Sequence, residues 1–104
     1  MQSMTAVQLA AHLEHSTALL LDVREPWEFE ICHIGKSINI PMSQIPAQQQ
    51  QFENADEIVV ICHHGVRSRH VIQFLQHQAI KNLINLEGGV DAWAREVDTE
   101  MPLY

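Results

Sequence analysis

Four consecutive residues, Ile58 to Ile61, are apolar and β-branched, and the run stops on Cys62-His63-His64-Gly65-Val66-Arg67-Ser68. β-Branched side chains are stiff at χ1 and suit a pleated sheet surface. Apolar character at every position, rather than at alternate ones, marks a strand covered on both faces. Directly afterwards Val71, Ile72 and Leu75 recur at helical spacing, with Phe74 at the margin of the stripe. That spacing predicts a helix over 68–78. A fully buried strand followed within a few residues by a helix is the repeating unit of a parallel α/β sheet.

The rest of the chain repeats this alternation. Ala6, Leu9, Ala10 and Leu13 predict an amphipathic helix over 5–14, with Ser3 or Thr5 as its cap. Further strands are expected at 19–23, 37–40 and 82–86. Pro26 suits the first position of a short helix. Short helical turns are expected around Pro46, and a last helix opens on Gly88-Gly89. Trp27, Phe29 and Trp93 read as core aromatics. In such folds ligands gather where strand C-termini meet helix N-termini. Cys62 stands at that address on the clearest strand.

Residues 1–104 are expected to form one domain, because domains typically run about 100–150 residues. The formal net charge is −7. Nucleic acid and anionic membranes need a basic surface, so neither is an expected partner. The N-terminal segment lacks the basic start and long apolar run of a signal peptide. A cytoplasmic location and two reduced thiols are the resulting expectations. Only six Lys and Arg are present, and Arg67 and Arg69 flank the loop. They predict a locally positive pocket for a small anion.

Within the loop, Gly65 allows backbone angles closed to other residues. Curled amides from His63 to Ser68, backed by a helix N-terminus, would form an anion nest. Arg67 could add a guanidinium at its rim. A sulfur at the centre of such a nest is favoured as thiolate, the nucleophilic form. Cys32-His33 and Cys62-His63-His64 also supply zinc-ligand types. Adjacent residues on an extended chain point opposite ways, however, and zinc prefers spaced pairs, so no metal site is expected.

Three stretches in order resemble the rhodanese family. "LLLDVREPWEFEICHIGKSINIP" is similar to the segment before its active strand. "VVICHHGVRS" matches its Cys-x-x-Gly-x-Arg-Ser at Cys62, Gly65, Arg67 and Ser68. "LINLEGGVDAWA" is similar to its final strand, double glycine and Ala-Trp helix. The resemblance implies a five-stranded, mainly parallel α/β sheet with helices on both faces and an active loop from Cys62 to Arg67. It implies a thiosulfate sulfurtransferase: Cys62 takes a sulfane sulfur from a small anionic donor, holds it as a persulfide, and yields it to cyanide or a thiol, including a protein thiol. No cofactor is implied. His63, His64, Gly65, Val66, Arg67 and Ser68 form the binding loop, and Asp22 and Arg24 are candidates for the pocket edge.

Related phosphatases and arsenate reductases carry five residues between Cys and Arg, whereas four lie between Cys62 and Arg67 here. The shorter loop suits one bound sulfur better than a tetrahedral oxyanion. Phosphatase activity and a non-catalytic binding module remain the alternatives. His63 and His64 either bind the donor or select the acceptor, or they simply point outward. Arg24 is expected to pair with a carboxylate such as Glu28, and His33 to pack or hydrogen-bond. Cys32, Lys36 and Ala79 stand where the family commonly has glycine. A left-handed conformation at Ala79 would cost about 1 kcal/mol.

Overall fold

The computed structural model describes residues 1–104. Five strands form one sheet: β1 (Gln2–Met4), β2 (Leu19–Asp22), β3 (Ile38–Asn39), β4 (Ile58–Ile61) and β5 (Leu83–Leu86). Their order is β1-β5-β4-β2-β3, and every pairing is parallel. The α/β fold with a five-stranded parallel sheet is the expected one. The fifth strand, β1, is the one that residue patterning alone did not mark. It is three residues long, with Met4 its one apolar residue, and recognisable only by its pairing with β5.

Three helices connect strands, α1 (Ala6–His12), α2 (Pro26–Ile31) and α3 (Arg67–His77), and α4 (Gly89–Glu96) follows β5. Thr5 caps α1 through a reciprocal bond with Gln8, satisfying two amides that a helix start otherwise leaves open. Pro26 takes the first turn of α2, where its missing N–H costs nothing. Two 3-10 turns follow β3, Met42–Gln44 and Pro46–Gln51, the second opening on Pro46. No helix is long and apolar enough to cross a membrane.

Strand parity divides the core. Ile58, Val60 and Cys62 face one side, packed with Val71, Ile72 and Leu75 of α3 and with Ile45 and Phe52. Val59 and Ile61 face the other, against Ala6 and Leu9 of α1 and Val90 and Trp93 of α4. Burying each such side chain contributes roughly 1.5–3 kcal/mol. The same period of two aims Cys62 at α3 rather than α4. Trp93 is buried as expected, and Phe29 is half-buried, stacked on His33 at 3.9 Å. Trp27 departs from expectation: it is 60% exposed. The phase of α2 turns Glu28 inward and Trp27 out.

Candidate active site

The C-terminal ends of β2 and β4 are level, with Asp22 paired to Ile61. Cys62 is the next residue, just beyond the sheet, and the chain then turns back into α3. Gly65 makes the turn at φ +97°, a left-handed value that a side chain would strain. The turn brings the Gly65 N–H to 3.0 Å from Cys62 Sγ, donating to it. Ser68 Oγ, in the first turn of α3, lies 3.4 Å from the same sulfur. The Ser68 hydroxyl also donates to Asn85 Oδ1 on β5. Its single proton can serve either acceptor. Asn85 Nδ2 in turn donates to the Gly65 carbonyl at 3.3 Å and to Glu87 Oε1 at 3.1 Å.

The opposite wall is α4. Its first amides donate to the loop, Val90 to the Cys62 carbonyl at 2.9 Å and Asp91 to the His63 carbonyl at 3.1 Å. Two carbonyls that would repel an anion are thereby engaged elsewhere. The sulfur sits within hydrogen-bond reach of an amide and a hydroxyl, with the N-terminus of the 11-residue α3 behind it. Cys62 itself is only 1% exposed.

The rhodanese-like domain profile matches residues 5–96. The chain belongs to the rhodanese-like family. The chain is 35% identical over 111 residues to the adenylyltransferase and sulfurtransferase MOCS3 of Drosophila grimshawi, covering 99% of this chain and 25% of that protein. It is 37% identical over 93 residues to MOCS3-2 of Zea mays, covering 83% of this chain and 19% of that protein. The chain thus spans a quarter or less of the curated relatives it matches here. Among solved structures it is similar to a rhodanese-related protein of Thermoplasma volcanium, with a TM-score of 0.84 at 35% identity, covering 93% and 94% of the two chains. A rhodanese-like domain protein of Staphylococcus aureus gives 0.85 at 33% identity, covering 93% and 95%.

In this rhodanese-like domain both loop arginines are held by carboxylates. Arg67 forks onto Glu28 through Nη1 at 2.6 Å and Nη2 at 2.9 Å. Arg69 meets Glu87 at 2.6 Å. The expected positive pocket is therefore not made of free cations, because acidic neighbours on α2 and after β5 neutralise both. Arg67 ties the end of the loop to α2. The fork, with help from a backbone amide and Tyr104, lowers the Glu28 pKa to about 2 against the pull of burial.

Asp22 and Arg24 are fully buried and bonded to each other, not exposed at a pocket edge. The carboxylate of Arg24 is Asp22, not Glu28: Nη2 reaches Oδ2 at 2.7 Å and Nε reaches Oδ1 at 3.0 Å. Glu28 gives Arg24 only its backbone carbonyl, at 3.2 Å. The Cys32 carbonyl accepts from Nη2 at 2.7 Å, and Tyr104 Oη accepts from Nη1 at 2.8 Å. Burial opposes the charge, but the bonds to Asp22 and Tyr104 outweigh it and raise the pKa.

His63 is not an outward, free side chain. Its ring lies between Tyr104, at 3.9 Å and 4°, and His64, at 4.0 Å and 27°. Its Nε2 is buried without a partner. Burial, and then the neighbouring His64, lower its pKa and favour the neutral ring. His64 and Val66 are exposed. The two histidines share one side of the loop, contrary to the expectation that adjacent residues diverge, because the chain there is curled rather than extended. With Asp91 they offer ligand atoms within 4.8 Å of one another. Stacked rings hold their in-plane lone pairs side by side, however, whereas metal bonds of about 2 Å need them to converge. Cys32 and Cys62 are both free thiols.

Four residues of the site escaped sequence reasoning in these roles. Asn85 had a faint signal, an amide inside the apolar run "LINL". Glu28 is expected to pair with Arg24 and instead holds Arg67. Gly89 signals only a helix start, although its missing Cβ is what lets α4 approach the Cys62 and His63 carbonyls, and Tyr104 carries no local signal.

Proposed function

We propose that this chain is a sulfurtransferase that carries a sulfane sulfur as a persulfide on Cys62. The observation that carries this reading is the Gly65 N–H donating to Cys62 Sγ at 3.0 Å, at the head of α3. That donor is already in place where negative charge resides on the Cys62 thiolate, the form that attacks the donor and is released again to the acceptor, and such preorganisation accelerates reactions. Membership of the family and the sulfurtransferase named among the similar proteins support the same reading.

The Cys62 thiolate attacks the outer sulfur of a donor such as thiosulfate. A new S–S bond forms on Cys62, the donor's S–S bond breaks, and sulfite leaves with the electron pair. Cyanide or a thiolate then attacks the terminal sulfur and releases the Cys62 thiolate. With cyanide the product is thiocyanate. With a thiolate it is a new persulfide on the acceptor, which can be a protein thiol. Cys62 is 1% exposed, so donor and acceptor have only a narrow approach to its sulfur.

Intact mass spectrometry after thiosulfate treatment tests the reading. One sulfur should add to the protein, cyanide should remove it, and Cys62→Ser should never acquire it. An unmodified wild-type mass at saturating thiosulfate overturns thiosulfate as donor. Rapid hydrolysis of p-nitrophenyl phosphate at Cys62 would overturn the sulfur-transfer reading in favour of phosphatase chemistry.

A further inference from the structure

We propose that Tyr104 is a positioning residue for the Cys62 loop, a clasp that holds both of its ends. The ring lies flat on His63, the residue after the nucleophile, at 3.9 Å. The hydroxyl donates to Glu28 Oε2 at 2.8 Å, and that same oxygen accepts from Arg67 Nη2 at the other end of the loop. Tyr104 therefore touches the loop's start directly and its end through one shared carboxylate. The hydroxyl is also anchored from below, since Arg24 Nη1 donates to it at 2.8 Å. Trp27 meets the ring edge-on at 6.2 Å, completing its surroundings.

The clasp keeps one protonation state over ordinary pH. Burial pushes the phenol up to about 12, while the Arg67 fork holds Glu28 at about 2. A neutral donor thus faces a charged acceptor, the stronger kind of hydrogen bond. The direction of the Gly65 N–H depends on the curvature of the loop between His63 and Arg67. Fixing both ends fixes that curvature, and with it the bond from Gly65 to Cys62 Sγ. The catalytic consequence rests on the sulfur-transfer reading; the mechanical claim does not.

Amide hydrogen exchange in the full chain, read residue by residue, tests the clasp in Tyr104→Leu and Tyr104→Phe. Leucine removes the stack and both hydroxyl bonds, so the Gly65 amide should exchange about tenfold faster while Val59 and Val60 in β4 stay unchanged. Phenylalanine keeps the stack, so exchange should quicken at Arg67 and Ser68 more than at His64 and Gly65. In thiosulfate turnover, kcat should fall with leucine and recover in part with phenylalanine, and KM should move less. Unchanged Gly65 exchange in Tyr104→Leu overturns the clasp. So does an equal rise in β4, which would mean general destabilisation. Should Tyr104→Leu fail to fold, the uneven pattern in Tyr104→Phe decides, and a uniform or absent change overturns the clasp. If the wild type transfers no sulfur, the kinetic arm falls with that reading and exchange still judges the clasp.

Discussion

A methyl group on Gly89 would lie 2.3 Å from the carbonyl oxygen of Cys62. The same Cβ would come within 2.4 Å of the His63 carbonyl oxygen, and the glycine sits at φ +58°. Backbone faces it on the loop side, so nothing flexible can yield. The close approach is what lets Val90 and Asp91 donate to the loop carbonyls. Gly89→Ala should therefore push α4 away from the loop. Overpacking of this kind costs roughly 1–3 kcal/mol, which urea denaturation should show. Sulfur transfer should fall further than the stability loss explains. Wild-type stability and rate together would refute the steric account.

The Asp22–Arg24 pair is fully buried, and its two members are not equivalent to replace. Arg24→Met leaves the Asp22 carboxylate charged and unpaired in the interior, at a cost of about 3–5 kcal/mol. Adding Asp22→Asn to Arg24→Met should recover part of that loss by removing the stranded charge. Denaturation midpoints of the two variants compare directly. A double variant weaker than Arg24→Met by the full cost of a second independent lesion would reject the pairing argument.

Glu28 links stability to acid. Its pKa in the folded chain is about 2, below the ordinary 4.5, chiefly because of the Arg67 fork. A depressed carboxylate stabilises the fold fully above the unfolded value and ceases to as pH falls through the folded one. The Glu28 contribution should thus be intact above about pH 4.5 and vanish toward pH 2. Glu28→Gln should be less stable than the wild type at pH 7, and the gap should narrow across that window. Thermal melts at stepped pH measure it; a constant gap would contradict the assignment.

Three non-glycine residues, Lys36, Ala79 and Asn82, hold left-handed backbone with φ of 67°, 63° and 59°. Ala79→Gly should stabilise the chain by about 1 kcal/mol, because glycine bears no Cβ to clash in that region. Lys36→Gly should act likewise. Cys32 is different. Its φ of −166° is extended backbone, open to any residue, so Cys32→Gly should gain nothing from relief of strain. Equal responses at all three positions would undo this reading of the family's missing glycines.

Much of this architecture was legible locally. β4 announced itself through four stiff apolar residues, α1 through Thr5 and its stripe, and α2 through Pro26. The position of Ala79 after α3 foretold its strained backbone. Cys62, Gly65 and Ser68 stood out because a strand end, a turn residue and a helix start follow each other within seven residues. Trp27 departs from the core reading because a six-residue helix is too short for its phase to be set by pattern.

The sequence by itself determined the alternation of strands and helices, and it delivered a cysteine to the mouth of the sheet. Both follow from side-chain stiffness, periodicity and turn chemistry, which act between neighbours along the chain. Only the tertiary structure decided that Arg24 meets Asp22 while Arg67 takes Glu28, that Asn85 stands behind Ser68, and that Tyr104 closes on His63. Apart from Arg24 and Asp22, which are near neighbours in the chain, those pairings join residues 17 to 41 positions apart. They depend on where whole elements come to rest against each other, and no local preference encodes that sum.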